Sequence, residues 1–126
     1  MPDELVTRVC RFLLDERGFV RATVLDGAVM TLDDAKEALA ATERVALGRR
    51  RPVLVDLRKI KGETREARQY FVGEHAARIS ARVALLVESP VSRVVGNFFL
   101  RLNVQRTPTE LFTSEEAAIA WLGEHG

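Results

Sequence analysis

The chain has 126 residues, a length typical of one domain, and 47% of them are hydrophobic, so a core can form without a disulfide or a structural metal. Lys and Arg number 19 and Asp and Glu number 18, giving a formal net charge of only +1. A general nucleic-acid binder would carry a larger basic excess. No apolar run is long enough to cross a bilayer. We therefore expect a single cytoplasmic domain over 1–126 that binds no nucleic acid and has no membrane span.

The first predicted element is an antiparallel hairpin. Two β-like runs, Val9 with Phe12–Leu14 and then Phe19–Leu25, flank the letters DERG, in which Gly18 suits a tight turn. A helix follows, because Thr31 and Asp34 form a capping-box pattern and apolar residues then recur at helical spacing up to a stop at Gly48.

The middle of the chain predicts two strands around a helix. The runs RPVLVDL (51–57) and RVALLVES (82–89) are apolar and rich in Val, as is typical of strands covered on both faces. The helix between them begins near Thr64. Gly73 lies inside it and predicts a break or bend, because glycine costs about 1 kcal/mol relative to alanine in a helix interior.

The last part of the chain predicts two helices around a short strand. Ser89 as cap and Pro90 at the first helical position start one helix. PTELF (108–112) is a short strand, and Thr113 with Glu116 forms a capping-box pattern before the terminal helix. The element order predicts an α/β fold: a mixed, mainly parallel five-stranded sheet with an N-terminal antiparallel hairpin and about four flanking helices.

Catalytic and metal-binding patterns are absent from the sequence. His75 and His125 are isolated, and Cys10 lies in an apolar run where it suits a buried, unreactive thiol. Neither a G-x-S-x-G elbow nor a glycine-rich phosphate loop occurs. The three arginines of GRRRP (48–52) fit a solvated turn. We expect no metal, no cofactor and no enzymatic activity.

One region of the chain suggests an anion or small-ligand site. If the strands ending near Leu57 and Glu88 are neighbours, the helices that follow them point free N–H groups into one region. The candidate binding residues are Arg58, Lys61, Thr64, Arg65, Ser89 and Arg93. The alternative interpretation is that these cations face water and that the two hydroxyls only cap helices. Asp56, at the end of its strand, suits an acceptor for loop N–H groups.

Four blocks carry a resemblance to a known family: DGAVMTLDDAKEAL, RPVLVDLRKIKGETREAR, VALLVESPVSRVVGNFFLRLN and TELFTSEEAAIAWL. Over roughly residues 5 to 122 the chain resembles the SpoIIAA-like, STAS-type domains of bacteria, in an uncharacterised branch. The resemblance implies a mixed sheet flanked by helices, without catalytic machinery. In the anti-sigma-factor antagonists of that family, a strand ending in Asp precedes a Ser or Thr that is phosphorylated. Asp56 matches that strand-end acid, and Thr64, a possible phospho-acceptor, falls near the acceptor position, although the compact Asp-Ser-x-Gly of the antagonists is replaced here by GETREAR.

The resemblance and the residues together predict a non-enzymatic regulatory or protein-interaction domain. Phe98 and Phe99 are candidate interface residues for a homodimer or for an unidentified protein partner, and the alternative is that both belong to a broad core face. A second candidate function is a small-anion or small-ligand module that uses the two loops. Lipid carriage, as in the similarly built SEC14-like domains, would need a large apolar cavity, which a chain of this length hardly has room for.

Overall fold

The computed structural model describes residues 4–103 and 107–124. Its strands are β1 (Leu5–Val6), β2 (Cys10–Leu14), β3 (Val20–Val24), β4 (Val29–Met30), β5 (Arg51–Asp56), β6 (Gly62–Glu63), β7 (Ser80–Leu86) and β8 (Thr109–Phe112). Its helices are α1 (Leu32–Val45), α2 (Arg65–Phe71), α3 (Glu74–Ile79), α4 (Pro90–Asn103) and α5 (Glu115–Gly123).

Six of the strands form one sheet in the order β1-β2-β3-β5-β7-β8. The first two pairs are antiparallel and the next three are parallel, so the predicted α/β class, with its N-terminal hairpin and mainly parallel sheet, is confirmed. The sheet has one strand more than the five expected, because Leu5 and Val6 pair with Arg11 and Phe12 at the edge.

The two faces of the sheet are covered by different helices. On one face Phe12, Ala22 and Leu85 pack in a core cluster that includes residues of α1, α2 and α4. On the other face Leu54 and Leu86 pack against α5 in a separate cluster. Strand residues alternate between the faces, and full burial of a side chain such as Leu54 is worth about 1.5–3 kcal/mol. Neighbouring residues of one strand therefore contact different helices. The same alternation determines which face of the sheet a residue lies on where the strand runs into the following loop.

The helix ends follow the predicted caps with one exception. The capping box at Thr31 and Asp34 is present, and α1 ends shortly before Gly48, whose φ is 73°. The predicted cap at Thr113 is wrong, because Ser114 caps α5 and its hydroxyl accepts a hydrogen bond from the Ala117 amide at 3.2 Å. Either hydroxyl has the right chemistry, so the sequence alone did not fix the register.

The predicted interruption at Gly73 is confirmed. Gly73 lies between α2 and α3 and is the N-cap of α3, without a side chain to accept a hydrogen bond. Helix α3 packs back on α1, where Leu39, Ala76 and Ile79 form a small buried cluster.

A two-stranded sheet of β4 and β6 was not expected from the sequence. The amide of Lys61 donates to the carbonyl of Ala28 at 2.9 Å, and the amide of Thr64 donates to the carbonyl of Met30 at 2.9 Å. These bonds tie the loop after β5 to the segment before α1. They hold Glu63, in the second position of β6, between the sheet and α4.

Within the residues that the structure describes, no helix is long and apolar enough to cross a membrane.

Candidate functional site

The loops that carry the predicted anion site leave the same edge of the sheet. β5 and β7 are parallel neighbours, with Asp56 opposite Leu86, and the Leu57 amide donates to the Leu86 carbonyl at 2.9 Å. The strand adjacency on which the prediction depended is therefore present. The side chains of the predicted site nevertheless diverge from this edge.

Arg58 is already paired with carboxylates. Its Nε and its terminal nitrogen donate to the two Asp56 oxygens at 3.0 and 2.8 Å, and the terminal nitrogen also lies 3.5 Å from Glu115 of α5. The hydrogen bond to Asp56 raises the pKa of the Arg58 guanidinium against the opposing effect of burial. Asp56 also accepts the Arg58 backbone N–H at 3.0 Å, which confirms its expected role as a loop acceptor. This cluster therefore faces α5 with its charges largely neutralised.

Thr64 lies on the opposite side of the sheet from that cluster. Its hydroxyl accepts a hydrogen bond from the Ala67 amide at 3.1 Å, so it is the N-cap of α2, and Ala67 belongs to the core under α1 and α4. Ser89 likewise caps α4, since its hydroxyl accepts from the Ser92 amide at 3.1 Å. Phosphorylation of Thr64 stays a prediction, and it would replace a cap worth about 1 kcal/mol.

The remaining predicted cations, Lys61, Arg65 and Arg93, are exposed. The structure therefore does not gather the six predicted residues into one pocket. The anion site stays a prediction, and it now depends on exposed side chains.

A different feature dominates the surface of α4. Three large apolar side chains on this helix are exposed: Val91 by 43%, Val94 by 57% and Phe98 by 40%. They follow the spacing i, i+3 and i+7, which places them on one side of the helix. The opposite side of α4 sits close to the sheet, because a Cβ on Gly96 would come within 2.6 Å of a Leu111 methyl group.

The prediction that Phe99 contributes to an exposed interface is wrong. Phe99 is only 8% exposed and packs edge-on against Phe71, with ring centroids 5.6 Å apart. The apolar stripe of α4 is wider than its core contact, so the sequence could not tell which phenylalanine faces the core. Phe98 alone of the pair can contact a partner.

The exposed side of α4 borders a groove of about 270 Å³. Gly62, Glu63 and Arg68 form one wall, and residues of α4, including Phe98, form the other. The guanidinium carbon of Arg68 lies 4.0 Å from the centre of the Phe98 ring, a cation–π geometry. We refer to Val91, Val94 and Phe98 with this groove as the α4 surface.

Glu63 is the most perturbed acid near this surface. Both of its carboxylate oxygens are buried and lack a hydrogen-bond partner among the described residues. Burial raises the pKa of Glu63 from 4.5 to about 7, and the nearby charge of Arg68 lowers it only in part. This burial could not be predicted from the sequence, because Glu63 occurs in a basic loop and is enclosed only through the pairing of β6 with β4.

An apolar cavity of about 90 Å³ lies on the inner side of Glu63. Its lining comes from the sheet and from the helices packed on it, and includes Met30, Ile60 and Phe99. Cys10 also lines it, and burial raises the pKa of that thiol to about 12, so the sulfur is an unreactive apolar group, as the sequence predicted.

His75 connects three helices through its two ring nitrogens. Its Nδ1 lies 2.9 Å from the Tyr70 hydroxyl and its Nε2 lies 3.2 Å from a Glu43 oxygen, which joins α3 to α2 and α1. Among residues 4–103 and 107–124, no group of His, Cys, Asp and Glu is arranged to hold a metal ion. His125 lies outside the described residues.

The fold is SpoIIAA-like. The chain is similar to an uncharacterised protein of the DUF3478 family from Shewanella loihica PV-4, whose crystal structure is described as having a SpoIIAA-like fold, with a TM-score of 0.57. The two are 16% identical over 97% of this chain and 92% of that one, so the likeness concerns the fold. The suspected structural relationship to SpoIIAA-like domains is thereby confirmed.

The family assignment comes from the sequence. The model of DUF7793, a domain of unknown function, matches residues 12–126, and the chain belongs to this family. A crystal structure of a protein of unknown function from Arthrobacter sp. FB24 is 34% identical over 90% of this chain and 98% of that one, with a TM-score of 0.35. No curated protein matches the chain.

Proposed function

We propose that this protein is a non-enzymatic interaction domain that binds a partner protein on the α4 surface. The observation that carries the proposal is the row of Val91, Val94 and Phe98, each at least 40% exposed on one side of one helix. Single exposed apolar residues are ordinary, but aligned ones beside a groove are typical of a binding surface. The groove next to Phe98 gives such a partner a place to insert a side chain.

Charge defines the chemistry of the partner. α4 contains Arg93 and Arg101 but neither Asp nor Glu, and Arg68 lies across the groove over Phe98. A complementary partner has an apolar stripe bordered by acidic residues. An amphipathic helix with leucine on one side and glutamate at its margins meets both requirements, and it would dock by the helix-in-groove mode.

The same charges disfavour a second copy of this chain as the occupant. A symmetric dimer through α4 would bring the arginines of both copies together, and like charges facing each other oppose association. The expected homodimer stays a prediction, and light scattering of the purified protein tests it. A dimer that survives Phe98→Asp would lie on another surface.

The energetics favour Phe98 as the main contact. It offers partly exposed aromatic area beside the groove, and aromatic and arginine side chains are over-represented among residues that dominate interface energies. Arg68 already stacks on its ring, so a partner's carboxylate could pair with this guanidinium at the edge of the contact. Removing the Phe98 side chain should then abolish the apolar contact and also the ring on which the Arg68 guanidinium is positioned.

The test uses a defined probe. A labelled peptide of about 18 residues, helical, with a leucine stripe bordered by glutamates, is titrated with the full chain and followed by fluorescence anisotropy. A twin peptide carries lysines in place of the glutamates. We expect saturable binding of the acidic peptide, at least about tenfold weaker binding of the basic one, and weakening with added salt.

Variants locate the binding. Phe98→Asp and Val94→Asp should each weaken binding of the acidic peptide by about tenfold or more. Asn97→Asp is the matched control, because it adds the same charge to the exposed side of α4 without removing an apolar contact, and we expect only about a two- to threefold change. Equal binding of both peptides, or equal loss in all three variants, would refute the proposal. Binding to anionic vesicles in preference to the acidic peptide would make the α4 surface a membrane-contacting one instead.

A further inference from the structure

The interior cavity runs along the strands beneath α1, α2 and α4. Its lining includes Val53, near the start of β5, and Leu57, just after its end, so the lined length is roughly 13 Å at the usual rise of a strand. The volume of about 90 Å³ is therefore spread thinly along the core. Such a space suits a short unbranched chain better than a ring or a branched group.

The cavity is apolar except at a few points. Glu63 lines it on the side that faces the α4 surface, and both of its oxygens lack a hydrogen-bond donor among the described residues. A polar group buried without a partner is costly, and a native structure seldom retains one without a reason. The carboxyl of Glu63 therefore has unused capacity for a ligand that donates hydrogen bonds.

Glu63 also borders the outer groove, so it stands between the interior cavity and the surface. A ligand whose polar head meets the carboxyl can keep that head near the groove and place its tail among Met30, Ile60 and Leu57. The position of the carboxyl thus fixes the orientation of a ligand with one polar end.

We propose that the cavity is a binding site for a short, unbranched primary alkylamine, whose ammonium group pairs with Glu63 and whose chain fills the apolar space. An ammonium donates up to three hydrogen bonds and supplies the positive charge that the buried carboxylate lacks. The volume matches about three methylene-sized groups, so the four-carbon chain of n-butylamine fits once the cavity expands by about one such group, with its ammonium at Glu63. A ligand of this size binds with a Kd on the order of a millimolar or somewhat below.

The binding is linked to pH through Glu63. Arg68 is the charged group that acts on this carboxyl, and the residues of α4 that line the groove beside it are valines and Phe98, which do not titrate. Cys10, in the same cavity, keeps its proton at neutral pH because burial raises its pKa to about 12. The ammonium requires the ionised carboxylate, so affinity should rise about tenfold per pH unit up to about pH 7 and then level off.

The experiment titrates the full chain with n-butylamine and follows methyl resonances. Ile60 and Met30 line the cavity, whereas Ile119 of α5 packs on the other face of the sheet and serves as an internal reference. We expect saturable shifts at Ile60 and Met30 with an unchanged Ile119. Butyrate, which carries the opposite charge, and tert-butylamine, which is branched, should each bind at least about tenfold more weakly.

Two variants complete the test. Glu63→Gln keeps the shape of the side chain and should weaken n-butylamine binding by about tenfold or more, with its pH dependence lost. Glu66→Gln, an exposed change on α2, is the matched control and should bind as the wild type does. The proposal would be overturned if Glu63→Gln bound n-butylamine as tightly as the wild type does. It would also be overturned if n-butanol bound as tightly as n-butylamine at all pH values, or if n-butylamine left the cavity methyl resonances unchanged. None of these outcomes depends on whether a protein docks on the α4 surface.

Discussion

Phe98 and Phe99 are consecutive residues of α4 that lie in opposite environments. Phe98 is 40% exposed with the Arg68 guanidinium 4.0 Å from its ring centre, whereas Phe99 is 8% exposed and packs edge-on against Phe71. One helical step rotates the side chain by about 100°, which is enough to turn it from the core to the surface. The two rings therefore serve stability and recognition separately, and substitutions can distinguish the two roles.

We expect Phe99→Ala to destabilise the domain by about 3–4 kcal/mol, because it removes a buried ring and leaves a cavity. Phe98→Ala should cost less than about 1 kcal/mol, because that ring is partly solvated and its cation–π contact is exposed. Urea unfolding of both variants measures the difference. Similar losses of stability in the two variants would show that Phe98 is part of the core and would weaken the case for the α4 surface.

The burial of Glu63 predicts an unusual dependence of stability on pH. Its pKa is about 7 in the folded chain and near 4.5 without burial, so the folded form holds the proton over a range in which the unfolded form has lost it. The free energy of unfolding should therefore fall as the pH rises from about 4.5 to about 7 and then level off. The full shift corresponds to about 3 kcal/mol, which solvent screening of this partly exposed side chain reduces to on the order of 2 kcal/mol.

Glu63→Gln provides the comparison for that slope. The amide does not titrate, so the decline between about pH 5 and pH 8 should be smaller in the variant by the contribution of Glu63. Urea unfolding at both pH values, with Glu66→Gln as the control, measures this difference. Identical slopes in the wild type and Glu63→Gln would contradict the buried, unpartnered state of the carboxyl.

Asp34 joins the cap of α1 to the N-terminal segment. Burial opposes its ionisation, but hydrogen bonds from Arg8 and Thr31 outweigh that effect and lower the pKa of Asp34. We expect Asp34→Ala to cost about 2 kcal/mol, because the Thr31 amide and the capping box lose their acceptor. Asp33→Ala, an exposed change one residue earlier, is the control. The difference between the variants should shrink as the pH falls from the unfolded pKa of Asp34 through its lower folded pKa, since protonation then weakens these bonds in the wild type.

Arg58 gives a test of the anion site. Because Asp56 and Glu115 already occupy its guanidinium, we expect inorganic phosphate to produce no saturable rise in Tm. Arg58→Ala should lower the stability by about 1 kcal/mol with or without phosphate, because the partly exposed ion pair is screened by solvent. A saturable rise that disappears in both Arg58→Ala and Arg93→Ala would instead support the small-anion function.

The parts of the structure that the sequence predicted depend on local patterns. The capping box at Thr31, the start of α4 at Pro90 and the interruption at Gly73 are each set by residues within one turn, and the buried strands by short apolar runs. The alternation of these elements along the chain was then enough to define the fold class.

The site residues whose environment could not be predicted from the sequence depend on contacts between distant segments. Arg58 is neutralised in part by Glu115, 57 residues away, and Glu63 is buried because β6 pairs with β4. The sequence of a basic loop predicts neither the contact between Arg58 and Glu115 nor the burial of Glu63. The orientation of α4 was ambiguous for a different reason, since its apolar stripe is wider than the surface that it buries.

The most direct test of the α4 surface is an exchange of its charge preference. The double variant Arg93→Glu and Arg101→Glu keeps Val91, Val94 and Phe98 but replaces the two exposed cations of α4 with carboxylates. Its affinities for the glutamate-bordered and lysine-bordered peptides are measured beside those of the wild type. We predict that the preference inverts, with the basic peptide now bound at least about tenfold more tightly than the acidic one. An unchanged preference for the acidic peptide in a folded double variant would show that the peptide binds elsewhere and would contradict the assignment of the α4 surface.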